Sequence, residues 1–362
     1  MSKGKKLDNY YLNIALPILL PLFISIFILK FVQVRIESFI KFPEGPQKVH
    51  KGNVSRLGGL SIFITVGFIA LLKGHYEDYL FLKFFIISIP AFTFGFLEDI
   101  TQSINPKSRL LASLLSAILF IYIFGFTIKT LGFFYIDLVL NYEIIAIFFT
   151  VLSIVYMIQA FNIIDGLNGL SIITAMICFS SIACIANQIG DLHTRNFSFY
   201  FLLIFFGVLI LNFPFGKIFI GDGGAYCLGL FLGCSALIFY SKNTDISPFL
   251  ILQILIYPSY ELIRSFVRRF LHCKGVFRPD NEHLHSLLYR YNLAKFSLVG
   301  WKANSFTSMQ IIFLQILNFI LLINFFDNVY VIINCIIMFI FIYEFIYHLL
   351  GKNIKPHLEK PS

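Results

Sequence analysis

The sequence predicts an all-α integral membrane protein, a polytopic bundle of about 10–11 transmembrane helices. Three observations carry that prediction. Hydrophobic residues make up 58% of the chain, charged residues only 13%, and mean hydropathy is +0.83. Soluble domains carry about 25% charged residues, so a water-soluble fold is excluded on composition. Apolar stretches of about 20 residues, the length needed to cross a bilayer core, recur along the chain. The remaining polar residues form five islands, each following an odd-numbered apolar segment, so parity brings all five to one membrane face.

The first segment, roughly 10–33, is too long and too lightly flanked for a cleaved signal peptide, and no small-residue cleavage site follows it. The island Lys48–Arg56 (KVHKGNVSR) leads into the second segment, 57–73. Lys48, His50 and Arg56, followed by Gly58-Gly59, make a basic loop able to hold phosphates, although topology-setting charge is the plainer reading of any single lysine. The third segment, 79–97, ends on Glu98-Asp99, inside the island Glu98–Arg109. Two acids at a helix C-terminus oppose the helix dipole, which shifts the reading from a solvated helix end towards a function. Adjacent carboxylates can share a metal, or one can take a proton while the other stays charged.

The fourth segment, 110–126, is followed by the longest outer connection, Thr127–Tyr142. The fifth, 143–161, closes on Asn162–Gly169 (NIIDGLNG), where Asp165 stands beside glycines that permit a tight turn and close backbone approach to an anion. A capped turn between two helices is the competing account. The sixth and seventh segments, 169–187 and 197–213, lead to Gly216–Ala225 (GKIFIGDGGA) and the eighth, 224–240. Asp222, between glycines, leaves room for a metal bridging to phosphate oxygens; Mg²⁺ takes one or two carboxylates, with water and substrate completing its shell. The ninth, 247–264, runs into Arg264–Arg290, whose start, ELIRSFVRRFLHCKG, is basic and amphipathic and suited to the membrane surface. Glu261 and Arg264 fall on one helix face and read as a structural pair, and Glu344 reads as structural too. His283 and His285, near Asp280 and Glu282, have no further His or Cys at zinc-like spacing, so pyrophosphate contact or proton handling fits better than zinc. The tenth and eleventh segments are 306–325 and 329–349.

Of the 28 Lys and Arg, 20 lie on the side following odd segments and 8 on the other, which puts the islands in the cytoplasm under the positive-inside rule. The basic tail MSKGKK argues against this for the first segment. Loops beside anionic headgroups account for the net charge of +9 without any nucleic acid. None of the six cysteines forms CxxC, and five sit in apolar segments, so they read as reduced packing residues.

Taken in order, the islands resemble the polyprenyl-phosphate N-acetylhexosamine-1-phosphate transferases, the glycosyltransferase family 4 enzymes that initiate O-antigen and teichoic acid synthesis. The resemblance runs from about 48 to 290 within a single domain, 1–362. The family's R-K-x-H-x-x-x-x-P-R-x-G-G is similar to Gln47-Lys48-Val49-His50 and Ser55-Arg56-Leu57-Gly58-Gly59, with Gln47 and Ser55 departing from it. Its Asp-Asp pair is Glu98-Asp99, its N-x-x-D-G-x-D-G has Asn168 in the second Asp position, its G-D-x-G-S is Gly221–Ala225, and its His-x-His-His ends on Ser286. These departures resemble a surface-polysaccharide branch of the family, not the peptidoglycan phospho-N-acetylmuramoyl-pentapeptide member.

The resemblance implies transfer of N-acetylhexosamine 1-phosphate, GlcNAc by default, from a UDP-sugar to undecaprenyl phosphate, with UMP released. It implies Mg²⁺, with Mn²⁺ as an alternative, held by Asp222. It implies Glu98, Asp99 and Asp165 as catalytic residues, with the roles of Asp99 and Asp165 exchangeable. Lys48, His50, Arg56, Asn162, Asn168, His283 and His285 would hold substrate. Expected partners are undecaprenyl phosphate, a UDP-N-acetylhexosamine and the lipid bilayer, with a homodimer left open; the expected place is the bacterial inner membrane, multi-pass, with the site facing the cytoplasm. A muramyl-peptide donor or dolichyl acceptor is the alternative within the family. A nucleotide-sugar or lipid transporter is the competing class, but transporters place polar groups near the midplane of paired repeats, whereas these carboxylates sit at segment ends.

Overall fold

The computed structural model describes residues 2–32, 54–73, 79–271 and 282–358. Their elements are all helical, and the only β pairing among them is one isolated parallel bridge, Ser55 to Ile218. In chain order they are α1 (Ser2–Phe27, continued by a π turn at Ile28–Val32), α2 (Gly58–Leu72), α3 (Leu80–Thr101), α4 (Pro106–Phe124), α5 (Phe134–Leu140), α6 (Glu143–Ile164) and α7 (Leu170–Gln188). There follow α8 (Leu192–Asn212), α9 (Gly221–Lys242), α10 (Pro248–Ile254), α11 (Ile256–Leu271), α12 (Leu284–Phe296), α13 (Gly300–Phe325) and α14 (Val329–Leu358). Nine helical stretches among the described residues are long and apolar enough to cross a membrane, which makes this a multi-pass membrane protein.

Each of the eleven apolar segments read from the sequence has a helical counterpart, but two are not simple spans. The second, α2, has 15 residues. At 1.5 Å per residue it covers about 22 Å, short of a bilayer core of about 30 Å. The ninth is corrected outright: α10 and α11 meet at Leu255 with a bend of 81°. Pro258 weakens the helix at this point. A continuous helix needs an N–H at 258 for the carbonyl of Ile254, and proline has none. The Cys178 thiol donates to that carbonyl instead, at 3.1 Å. Gln253 and Asn318 exchange two further bonds beside the break, Gln253 Nε2 to Asn318 Oδ1 at 3.1 Å and Asn318 Nδ2 to the Gln253 carbonyl at 3.2 Å. Lipid offers no hydrogen bonds, so a broken helix must find such partners within the protein.

α9 is the centre of the bundle: 89% of its span is buried inside the protein, against 22–61% for the other eight. α2, α3, α6 and α7 surround it. Interlocked Phe rings fill the space beside it, with Phe201 5.0 Å from both Phe179 and Phe231, and Phe84 5.9 Å from Phe231, centroid to centroid. At the other end, α2 and α9 touch backbone to backbone. A side chain on Gly59 would run into the backbone nitrogen of Gly224. That contact draws the start of α2 onto the start of α9, where the polar islands meet.

Candidate active site

Asp99 organises the site. It lies in the last turn of α3, is 6% exposed, and reaches across to α9. Its Oδ1 accepts the N–H of Asp222 at 2.8 Å and its Oδ2 the N–H of Gly223 at 3.0 Å. The acid that looks misplaced at the end of its own helix thus caps the N-terminus of another, where about half a positive charge resides. Gly221 makes the approach possible: its φ is +70°, and a Cβ there would lie 2.5 Å from Asp99 Oδ2.

Glu98 and Asp99 take different hydrogen-bond partners. Neighbouring helical residues point about 100° apart, and Glu98 Oε2 instead accepts the N–H of Ile104 at 2.8 Å, pinning the turn that leads into α4. That turn presents Arg109, whose Nη1 forms an ion pair with Asp222 Oδ2. The sequence reading counted Arg109 only as topology charge; its position in an island beside two acids was the available signal.

The segment before α2 runs alongside the segment before α9. Phe219 N donates to Ser55 O at 2.8 Å, Gly58 N to Phe219 O at 2.8 Å, and Gly59 N to Ile220 O at 2.9 Å. Arg56 is held there, exposed, with its carbonyl against Gly221, and its charge acts on Asp99, Asp165 and Asp222 together. Lys48 and His50 lie outside the described residues.

Asp165 terminates α6 and accepts the Ser171 hydroxyl at 2.6 Å. Burial pushes its carboxyl up to about 7; the Ser171 hydrogen bond and Arg56 pull it down, while the Asp222 charge adds to the rise. Asn162 is one turn earlier on the same helix face, part-buried.

Asn168 knits the turn after α6 to two other segments. It is fully buried; its N–H donates to Asn304 Oδ1 at 2.5 Å and its Nδ2 to the Pro214 carbonyl at 2.9 Å. These bonds join three segments of the chain, while the Asn168 Oδ1, also buried, accepts no hydrogen bond among the described residues. Asn212, which the sequence reading missed, works beside it: its Oδ1 accepts Gly169 N at 2.6 Å and its Nδ2 donates to Ile218 O at 2.7 Å. One amide therefore fixes the Asp165 turn relative to the Asp222 turn.

His283 and His285 form a wall beside the Asp165 turn. Both are buried, their rings are parallel within 2° and 5.4 Å apart, and α12 starts between them. A Cβ on Gly166 would meet His285 Nε2 at 2.6 Å, so the His-x-His loop seats against the Asp165-Gly166 turn. Glu261 does not pair with Arg264. It takes His283 Nδ1 at 3.1 Å, while Arg264 Nε binds Glu344 Oε1 at 2.7 Å. The shared helix face suggested the nearer partner; the 81° bend turns Glu261 into the bundle.

The geometry therefore gathers Asp99, Asp165, Asp222, Arg56, Arg109 and the two histidines at one end of the bundle. Such a site suits an anionic substrate that must be held and neutralised. The sequence model of glycosyl transferase family 4 matches residues 81–240. The chain is also 30% identical over 252 residues to an undecaprenyl-phosphate alpha-N-acetylglucosaminyl 1-phosphate transferase of Thermotoga maritima, covering 70% of this chain and 73% of that protein. This chain belongs to glycosyl transferase family 4. It is 31% identical to a probable undecaprenyl-phosphate N-acetylglucosaminyl 1-phosphate transferase of Bacillus subtilis, over 68% of this chain and 69% of that one. A phospho-N-acetylmuramoyl-pentapeptide-transferase of Staphylococcus carnosus is similar at 25% identity, over 74% and 87%. The family match contains every acid of the site and Arg109 but ends before Glu261 and the His-x-His loop.

Proposed function

We propose that this chain transfers N-acetylhexosamine 1-phosphate, GlcNAc 1-phosphate by default, from a UDP-sugar to undecaprenyl phosphate. A lipid phosphate oxygen attacks the β-phosphorus, the bond to the α-phosphate oxygen breaks, and UMP leaves with the electron pair. The lipid-linked sugar diphosphate would initiate a cell-surface polysaccharide. The observation that carries the reading is the convergence of Asp99, Asp165 and Asp222 with Arg56, Arg109 and the histidines, in a relative of enzymes bearing that name. The excess of Lys and Arg on the same side supports a site facing the cytoplasm in a bacterial inner membrane.

The nucleophile is already an anion, so alignment and charge are the obstacles. Asp99, with both oxygens committed to α9, serves as the positioning acid. Asp165, with its raised carboxyl, is the better group to take a proton from the lipid phosphate or to orient it. Arg56, Arg109, His283 and His285 would hold the diphosphate and sugar, and Lys48 and His50 belong to the same reading. The acids outnumber the two arginines, a donor set that suits a divalent cation. Asp222, with one oxygen on Arg109, could offer the other to Mg²⁺ or Mn²⁺; the Asn162 amide and substrate phosphates would complete the shell. When bound, the ion would neutralise the diphosphate and the charge developing on UMP.

The test is UMP release by the detergent-solubilised protein, with undecaprenyl phosphate and a panel of UDP-N-acetylhexosamines. Release should require the lipid and Mg²⁺ and stop with EDTA, and the best donor names the sugar. No release from any donor by folded protein rejects the reading.

A pH profile tests Asp165. Its carboxyl is protonated below about 7 in the free protein, so kcat/KM should rise with pH through that value and level off above it. Asp165→Asn should lose most of the rate and the inflection; an acid limb unmoved in that variant would assign it to another group. Stability runs the other way. A folded-state value above the ordinary carboxylate value of about 4 gives a contribution that is full below it and lost as pH rises through 7.

A further inference from the structure

We infer that Glu261 and Tyr343 are positioning residues that fix His283, and with it the His-x-His wall, for phosphoryl transfer. The inference rests on the proposed reaction and extends it to residues outside the family match. Glu261 is 1% exposed and has both carboxylate oxygens engaged. Oε1 accepts His283 Nδ1 at 3.1 Å and the N–H of Leu284, also at 3.1 Å, so it grips the imidazole and the backbone beside it at once. Oε2 accepts the Tyr343 hydroxyl at 2.7 Å. A buried carboxylate left with fewer partners is costly, so this arrangement tolerates little rotation of any member.

With Nδ1 committed to Glu261, the chemistry of His283 runs through Nε2. Such a carboxylate sets both the orientation and the tautomer of the ring it holds. The effect reaches further through α14. Glu344 binds Arg264 and, at 2.9 Å, the Tyr260 hydroxyl. Arg268 Nη1 donates to the Glu282 carbonyl at 2.9 Å and to the Tyr347 hydroxyl at 2.7 Å. Tyr343, Glu344 and Tyr347 thus lie along one stretch of the last helix and tie α11 to residues 282–284. The last helix carries none of the candidate catalytic groups, yet it sets where one wall of the site stands.

Glu261→Gln keeps the shape and removes the charge. We expect kcat/KM for UMP release to fall roughly 10- to 100-fold, the range found when the group orienting a ligand histidine is lost. Tyr343→Phe should produce a smaller loss of the same kind. In a His283→Gln background, Glu261→Gln should cost nothing further, because the two act as one unit. Full additivity overturns the inference, since a purely structural role would produce it. A His283→Gln variant with undiminished kcat/KM overturns it too.

A second readout needs no activity. In [¹⁵N]histidine-labelled protein, with His283 assigned by its disappearance in His283→Gln, Glu261→Gln should shift the Nδ1 resonance. An unmoved resonance overturns the inference even where kcat/KM falls. Should the wild-type protein release no UMP, the proposed reaction fails, while this measurement still decides whether Glu261 governs His283.

Discussion

Asp222→Asn should lower UMP release by on the order of 10²–10³-fold, the loss associated with removing one preorganised electrostatic group, while leaving insertion and thermal unfolding in detergent close to wild type. The asymmetry follows from what Asp222 touches. Its backbone N–H, not its side chain, joins α9 to Asp99, and the variant keeps that bond. Its side chain is 23% exposed and meets Arg109, which an asparagine oxygen can still accept from. Removing the charge also relieves repulsion with Asp99 and Asp165, whose carboxyls both feel Asp222. Stability has little to lose, whereas the cation expected at this position loses its charged ligand. Residual activity should demand more Mg²⁺ than the wild type does. Wild-type UMP release with an unchanged Mg²⁺ requirement would take Asp222 out of the metal site. A collapsed unfolding temperature would show that the Arg109 pair is structural.

Much of this arrangement is legible from the sequence, because lipid imposes strong rules. Apolar length marked each of the nine long apolar helices among the described residues, and the polar residues it left over meet at one end of the bundle. Pairing within that face was far less legible. Nothing in the spacing says that Asp99 serves α9, because the cap joins residues 123 apart. Asn168 read as a polar motif residue facing substrate; the structure buries it, with its amide donating to the Pro214 carbonyl and its own N–H to Asn304 Oδ1. The break at Leu255 was half visible. Pro258 stood in the ninth apolar segment, but Pro17, Pro21 and Pro90 lie inside helices that continue past them. At Pro258 the break is accompanied by a thiol placed to take the abandoned carbonyl, a tertiary fact. Broken helices are also a transporter feature. Here Gln253 and Asn318 bond to each other at the break, and the acids gather away from it, at the end of the bundle.

Asp99 offers the sharpest contrast with Asp222. Asp99→Ala should lower activity and stability together. The substitution leaves the N–H groups of Asp222 and Gly223 without acceptors at a buried helix start, at about 1–3 kcal/mol each. Asp99→Asn should be nearly as damaging. An amide has one oxygen and one NH₂, so it can accept from one backbone N–H and must present a donor to the other. Thermal unfolding should fall by several degrees in both variants, and UMP release should fall further than in Asp222→Asn, because the start of α9 carries Asp222 itself. If Asp99→Asn unfolds like the wild type and still loses activity, the cap is dispensable and Asp99 acts on substrate directly. The exchange of roles between Asp99 and Asp165 would then be decided the other way. Measuring unfolding and UMP release on the same preparations of all three variants separates a carboxylate that builds the site from one that works in it.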